Sequence, residues 1–301
     1  MSKRFWRNFL IVILCLLVLE AALRLIGFGS IPLYYSSSQF EYALKPNQDI
    51  NRFGNHIYIN KQGMRSDELE PNSDRILKFG DSVLNGGVAI DQSELASSIL
   101  QIDLNQEGGN YQVLNVSAGS WGAGNAYAWL LEHGDYQAKA IVLLFSSHDW
   151  QDQMTFQNVV GNIPFYPNQN PALAITDAVS WAYSRFFNSV EWNELGYSKE
   201  NRPPIKDHDY GWNDFIEYSA ERDIPLLVYH HANKKESQSG EWSEMGVELE
   251  RFLMENQVPT ISGLEAGLEP DDYRDVIHPE PSGLLKIEKA ILPEVKAILN
   301  E

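Results

Sequence analysis

Arg75-Ile76-Leu77-Lys78-Phe79-Gly80-Asp81-Ser82-Val83-Leu84-Asn85-Gly86-Gly87 is a short apolar run that breaks at a glycine, presents an acid and a serine, and continues toward two more glycines. Residues 75–79 predict a β-strand, and the break after them predicts a sharp turn into a helix. A serine on such a turn stands at the rim of a sheet, where its hydroxyl can attack a substrate. By itself Gly80-Asp81-Ser82 reads equally well as a tight turn with an incidental serine. The far end of the chain changes the weighing. There, Asp275-Val276-Ile277-His278-Pro279 sets a carboxylate three residues before an imidazole. These are the orienting acid and general base that a serine nucleophile needs.

Beyond residue 87 the pattern alternates between helix and strand. Helices are predicted over 91–105 (with Asp91 or Ser93 as cap), 123–132, 213–222, 241–255 and 281–299. Strands are predicted over 111–116, 138–145, 224–229 and 258–261. Residues 138–145 are apolar almost throughout, as in a strand buried on both faces. Repeated strand–helix units predict an α/β fold, a mostly parallel sheet covered by helices on both sides. Functional groups then gather at the carboxyl ends of the strands. Ser82, Gly119 and His148 each follow a predicted strand, so they converge on that rim with the loop carrying Asp275 and His278. Residues 151–206 lack a clear period and read as an insertion, with a short helix over 174–187. The aromatics of that insertion, Trp181, Tyr183, Phe186 and Phe187, read as a small core.

Toward the N-terminus, Lys3, Arg4 and Arg7 precede an uncharged run from residue 9 to residue 19. Residues 9–28 read as one helix, long enough for a bilayer core of ~30 Å at about 1.5 Å per residue. The basic flank predicts a single-pass signal anchor with its N-terminus in the cytoplasm and the rest of the chain extracytoplasmic. Glu20 and Arg24, spaced i,i+4, are expected to pair with their heads in water at the outer interface. The organisation expected is an anchor over 1–29, a linker or β-containing lead-in over 30–72 and a main domain over 73–301. Residues 51–60 predict a short hairpin; His56 and Arg65 are polar candidates near the site, with a solvated loop position the favoured reading for each.

A formal charge of -18 over 301 residues argues against a nucleic-acid surface. The single cysteine, Cys15, lies inside the apolar run, so no intramolecular disulfide or multi-cysteine zinc site exists. His230 and His231 are expected just past a strand, and spacing identifies no third metal ligand. No metal and no cofactor are expected.

Gly80-Asp81-Ser82, Gly119 and Asp275-Val276-Ile277-His278-Pro279 resemble the blocks of the SGNH, or GDSL-type, hydrolase superfamily over residues 75–300. The resemblance implies a flavodoxin-like three-layer α/β/α sandwich and a serine esterase. It makes Ser82 the nucleophile, His278 the base and Asp275 its orienting acid, with the N–H groups of Ser82 and Gly119 in the oxyanion hole. In the third block the family has Gly-x-Asn-Asp, and this sequence has Ser146-Ser147-His148-Asp149. His148 stands where the oxyanion-binding asparagine would be, and either replaces its N–H or marks altered chemistry. An anchor followed by such a domain also resembles proteins that add or remove acyl groups on envelope polysaccharides. The expected substrate is an O-acyl, chiefly O-acetyl, carbohydrate ester. A polysaccharide O-acetyltransferase or a silent polysaccharide-binding scaffold is the alternative.

Overall fold

The computed structural model describes residues 3–106, 108–187 and 210–300; residues 188–206 of the expected insertion lie outside them. The chain begins with helix α1 (Lys3–Leu25), none of whose residues is buried. Two antiparallel hairpins follow: β1 (Tyr34–Ser37) with β2 (Glu41–Leu44), then β3 (Gln48–Arg52) with β4 (Asn55–Ile59). Next come β5 (Asp74–Gly80), α2 (Ser82–Asn85), α3 (Ala96–Asn105), β6 (Tyr111–Ser117), α4 (Ala123–His133) and β7 (Ala138–Ser146). The remainder is α5 (Ala174–Phe187), α6 (Trp212–Arg222), β8 (Leu226–His231), α7 (Lys234–Ser239), α8 (Glu244–Glu255), β9 (Thr260–Ser262) and α9 (Pro281–Asn300).

β5 to β9 form one sheet in the order β6-β5-β7-β8-β9, every pair parallel. The α/β expectation holds, and the order is that of a doubly wound, flavodoxin-like sheet. Strand alternation separates two cores. Leu77, Phe79, Leu143 and Phe145 face a core built with Trp129 of α4, Phe215 of α6 and Leu249 of α8. Ile76, Val142 and Leu144 face the other, with Leu100 of α3 and Ile287 and Ile291 of α9. The result is three layers, helix–sheet–helix. Because the chain leaves β5 toward β6 on one side and reaches β7 on the other, a crevice opens at the carboxyl ends of β5 and β7.

Several local expectations are corrected. Residues 91–105 are not one helix: Asp91 accepts from the Ser93 N–H to cap a short 3₁₀ turn, Leu95 is extended, and α3 starts at Ala96. α7 was not foreseen, and α8 begins only after Ser243, whose hydroxyl accepts from the Gly246 N–H. His230 and His231 do not follow the strand but form its last two residues, and both are fully buried. The β-containing lead-in agrees with its expectation: it forms the two hairpins, and Phe40, Tyr42, Leu44, Ile57, Ile59 and Met64 belong to the α4/α6/α8-side core.

One charged side chain interrupts the apolar sheet. Lys78 of β5 points at the α9 layer, where its ammonium donates to the Glu288 carboxylate, both groups fully buried. Burial pulls the Lys78 pKa down and pushes that of Glu288 up, and the attraction between them works against both shifts.

Candidate active site

The nucleophile candidate is placed by backbone crowding. A Cβ at Gly80 would stand 2.6 Å from the Leu144 carbonyl oxygen and 2.8 Å from Leu84 Cβ. Only glycine lets β5 leave the sheet so close to β7. Asp81 then caps α2, its Oδ1 accepting from the Val83 N–H at 2.8 Å, and Ser82 is the first helical residue. α2 lasts a single turn before Gly86 reverses the chain at φ 71°. Arg65, expected in solvent, is buried instead. Its guanidinium donates to the carbonyls of Asn85, Gly87 and Ile90, which ties down the loop behind the serine. Burial lowers its pKa to about 10, so it stays cationic at neutral pH. Nothing near residue 65 in the sequence announces carbonyl partners twenty or more positions away.

The base candidate reaches the same point from the other end of the chain. His278 Nε2 lies 2.9 Å from Ser82 Oγ, and Nδ1 lies 2.8 Å from Asp275 Oδ2. An ionised carboxylate only accepts, so Nδ1 carries the proton and Nε2 is free to accept from the serine hydroxyl. Burial works to raise the Asp275 pKa, but the N–H groups of His278 and Ile277 and the His278 ring outweigh it and hold the carboxylate below its usual range. Burial lowers the His278 pKa first, Asp275 opposes this, and the charges of Arg274 and His148 add to the lowering. The ring is therefore neutral, and able to take a proton, at a lower pH than an ordinary histidine.

Gly119 follows β6 on the same rim, with open space where a side chain would project. Its N–H and that of Ser82 have no acceptor among the described residues. Its carbonyl is fixed by the Tyr42 hydroxyl at 2.9 Å, so the lead-in helps position this turn. His148 follows β7 in a 3₁₀ turn over Ser147–Gln151. Its ring is half exposed, with Nε2 3.2 Å from Asp149 Oδ1, and its charge acts on both Asp81 and His278. The structure thus brings Ser82, Gly119, His148, Asp275 and His278 to one crevice.

Beneath them is a feature the sequence did not disclose. Asp81 and Asp149 are both buried, and the charge of Asp149 acts on Asp81. Burial first, then Asp149, pushes Asp81 up to about 8, and burial raises Asp149 well above its usual range. Asp149 Oδ2 accepts from the Ser146 N–H at 2.7 Å, which closes the start of the 3₁₀ turn. Ligand atoms of Asp81, His148 and Asp149 lie within 4.8 Å of one another, spacing that could hold a metal ion. A metal needs both carboxylates ionised, whereas burial raises the pKa of each and favours its neutral form.

A second serine–histidine–carboxylate line sits nearby. His230 Nε2 is 3.1 Å from Ser147 Oγ and Nδ1 is 2.6 Å from Glu250 Oε1. Ser147 is only 2% exposed. Its hydroxyl donates to Glu236 at 2.7 Å, and His230 is stacked on Trp242 with centroids 3.7 Å apart. No ester can enter there. The line instead ties the turn that presents His148 to β8 and α8.

No family model matches the chain, and no curated protein matches it. Among solved structures, the crystal structure of TesA is 14% identical, with a TM-score of 0.46, over 75% of this chain and 99% of that one. The psychrotrophic esterase EstA from Pseudoalteromonas sp. is 14% identical, with a TM-score of 0.44, over 76% of this chain and all of its own. An acetyl xylan esterase, AlAXEase, is 12% identical, with a TM-score of 0.45, over 73% of this chain and 99% of its own.

Proposed function

We propose that the chain is a serine esterase of the SGNH/GDSL type, with Ser82 as nucleophile, His278 as base and Asp275 orienting the base. The carrying observation is the continuous line from Ser82 Oγ through the His278 ring to Asp275, 2.9 and 2.8 Å link by link. Ser82 Oγ attacks the acyl carbon while its proton passes to His278 Nε2, and the carbonyl π pair moves onto oxygen. The tetrahedral adduct collapses, the alcohol leaves with the proton from the imidazolium, and the acyl group stays on Ser82. Water, deprotonated by His278, then attacks the acyl-enzyme, releases the acid and restores the hydroxyl. The oxyanion donors are the N–H groups of Ser82 and Gly119 and the ring of His148. A donor in this role contributes on the order of 10²–10³ in rate.

Asp275 is nearly half exposed, so the crevice is open to water, and this favours hydrolysis over transfer to a second sugar. For the finer reading, we take O-acetyl groups on cell-envelope or exported carbohydrate as the substrate. α1 supports it: 23 residues with a mean hydropathy of 2.3 in its most apolar window are long and apolar enough to cross a bilayer. In this reading the basic N-terminus is cytoplasmic and the catalytic crevice extracytoplasmic.

Ser82→Ala is expected to abolish turnover of p-nitrophenyl acetate while leaving circular dichroism unchanged. Persistent turnover would overturn the assignment. Acetate release from an acetylated polysaccharide tests the substrate class separately. If the small ester is turned over and the polymer is not, the esterase stands and the carbohydrate reading falls.

A further inference from the structure

α1 does not lead into a free tether. Its last turns are locked to α5. The Glu20 carboxylate accepts from the Ala174 and Ile175 N–H groups at 2.9 and 3.0 Å, closing the first turn of α5. Arg24 pairs with Glu20 at 2.7 Å and donates to the Ala172 carbonyl at 3.2 Å. Just beyond, the buried Arg52 of β3 bonds Asp177 of α5 at 2.7 Å and the Gly27 and Ser30 carbonyls at 3.0 and 3.1 Å. Asp177 also accepts from the Gly29 N–H at 2.7 Å. The rings of Phe28, Phe53 and Trp181 meet edge-on or tilted around this knot, with centroids 5.0–6.0 Å apart.

Depth follows from counting. A span needs about 20 residues for ~30 Å of hydrocarbon. Counted from Lys3 or from Arg7, the last cationic residue of the flank, such a span ends between residues 23 and 27. Glu20 and Arg24 then lie inside the outer boundary or at it. The α5 N-terminus that satisfies Glu20 has to lie at the same depth, contrary to the expectation that these heads simply reach water.

The exposed surface at this level is apolar. Leu25 is 88% exposed, Ile26 54%, Val179 63%, Phe53 40% and Trp181 44%. Phe53 holds a left-handed φ of 55° at the tip of the β3–β4 hairpin, where Asn, Asp or Gly is the ordinary choice. That strained placement aims a large ring at the same layer. Aromatic residues with a polar edge or neighbour settle at the headgroup level of bilayers.

We propose that the outer end of α1, the first turns of α5 and the β3–β4 hairpin tip form a collar seated in the headgroup layer of a lipid bilayer. This rests on the membrane-crossing reading of α1. With a formal charge of -18 the attraction is not electrostatic. Apolar area and interfacial rings supply it, so a neutral phosphatidylcholine surface suffices. The collar holds the globular part directly on the membrane, with α5 lying along it.

The test uses the full chain in phosphatidylcholine nanodiscs. In a Cys15→Ser background, Val179→Cys or Phe53→Cys carries an environment-sensitive fluorophore, and a parallel sample carries it on the native Cys15. A nitroxide is supplied either on shallow lipid positions or on a water-soluble chelate. The collar labels are expected to show blue-shifted emission and several-fold stronger quenching by the lipid-borne nitroxide than by the aqueous one. Full aqueous quenching of both collar labels, with Cys15 still quenched from lipid, would overturn the collar and leave the span intact. Loss of lipid quenching at Cys15 itself would bring down the span reading and the collar together.

Discussion

His278 sits in an environment that favours its neutral form, the form the proposed base role requires. Burial depresses the His278 pKa below the ordinary 6.5, with Arg274 and His148 adding to the effect. The acid limb of kcat/KM against pH should therefore fall below pH 6.5, activity being lost as pH drops through that lowered value. In His148→Ala the neighbouring charge is gone, so the limb should move to higher pH. If its ring is an oxyanion donor, kcat should also drop by on the order of 10²–10³. An unchanged kcat would leave His148 with no donor role. Legibility at this scale was uneven. The meeting of Ser82, Asp275 and His278 could be anticipated because these residue types sit in short motifs. Arg65 and the Asp81–Asp149 pair could not, because their meaning comes from partners and burial that no local spacing encodes.

Among the elements, β5 carries both the crevice and a hidden charge. The Lys78–Glu288 pair links the central strand to α9, well away from solvent. Lys78→Met alone strands the Glu288 carboxyl in an apolar layer, and is expected to cost ~3–5 kcal/mol in urea unfolding. Lys78→Met together with Glu288→Leu should recover most of that loss, since a well-packed apolar pair avoids the desolvation of both charges. If the double variant is as unstable as the single, the pair does more than neutralise itself. The strands β5, β6 and β7 were legible as apolar runs ended by Gly or Ser. The end of β8 was misplaced because His230 and His231 read as polar punctuation. In the structure, Ser147 and Glu250 satisfy the first, and the Ile277 carbonyl bonds the second at 2.9 Å. Burial takes the His231 pKa down to about 4, so it sits in the strand as a neutral ring.

For the molecule as a whole, the alternating pattern was enough to give the three layers, since it dictates a parallel sheet with helices on both faces. The pattern did not disclose that α1 and β3 are bonded to α5, because that depends on contacts between distant segments. The Arg52–Asp177 bridge joins three of those segments. Asp177→Asn removes its charge, and the globular part should then wobble against α1. On nanodiscs, time-resolved anisotropy of a label on the globular part should show a lower residual value, with hydrolysis of a small soluble ester unchanged. A residual value equal to that of the parent would mean the remaining bonds of Arg52 suffice.

The carboxylate that finishes the first turn of α5 comes from a residue inside α1. A peptidase cutting between Glu20 and Gly29 would therefore do more than shorten the chain. It would take away a capping group and uncover two backbone amides. Trimmed and untrimmed forms would then differ in how well α5 holds together, as well as in where they reside.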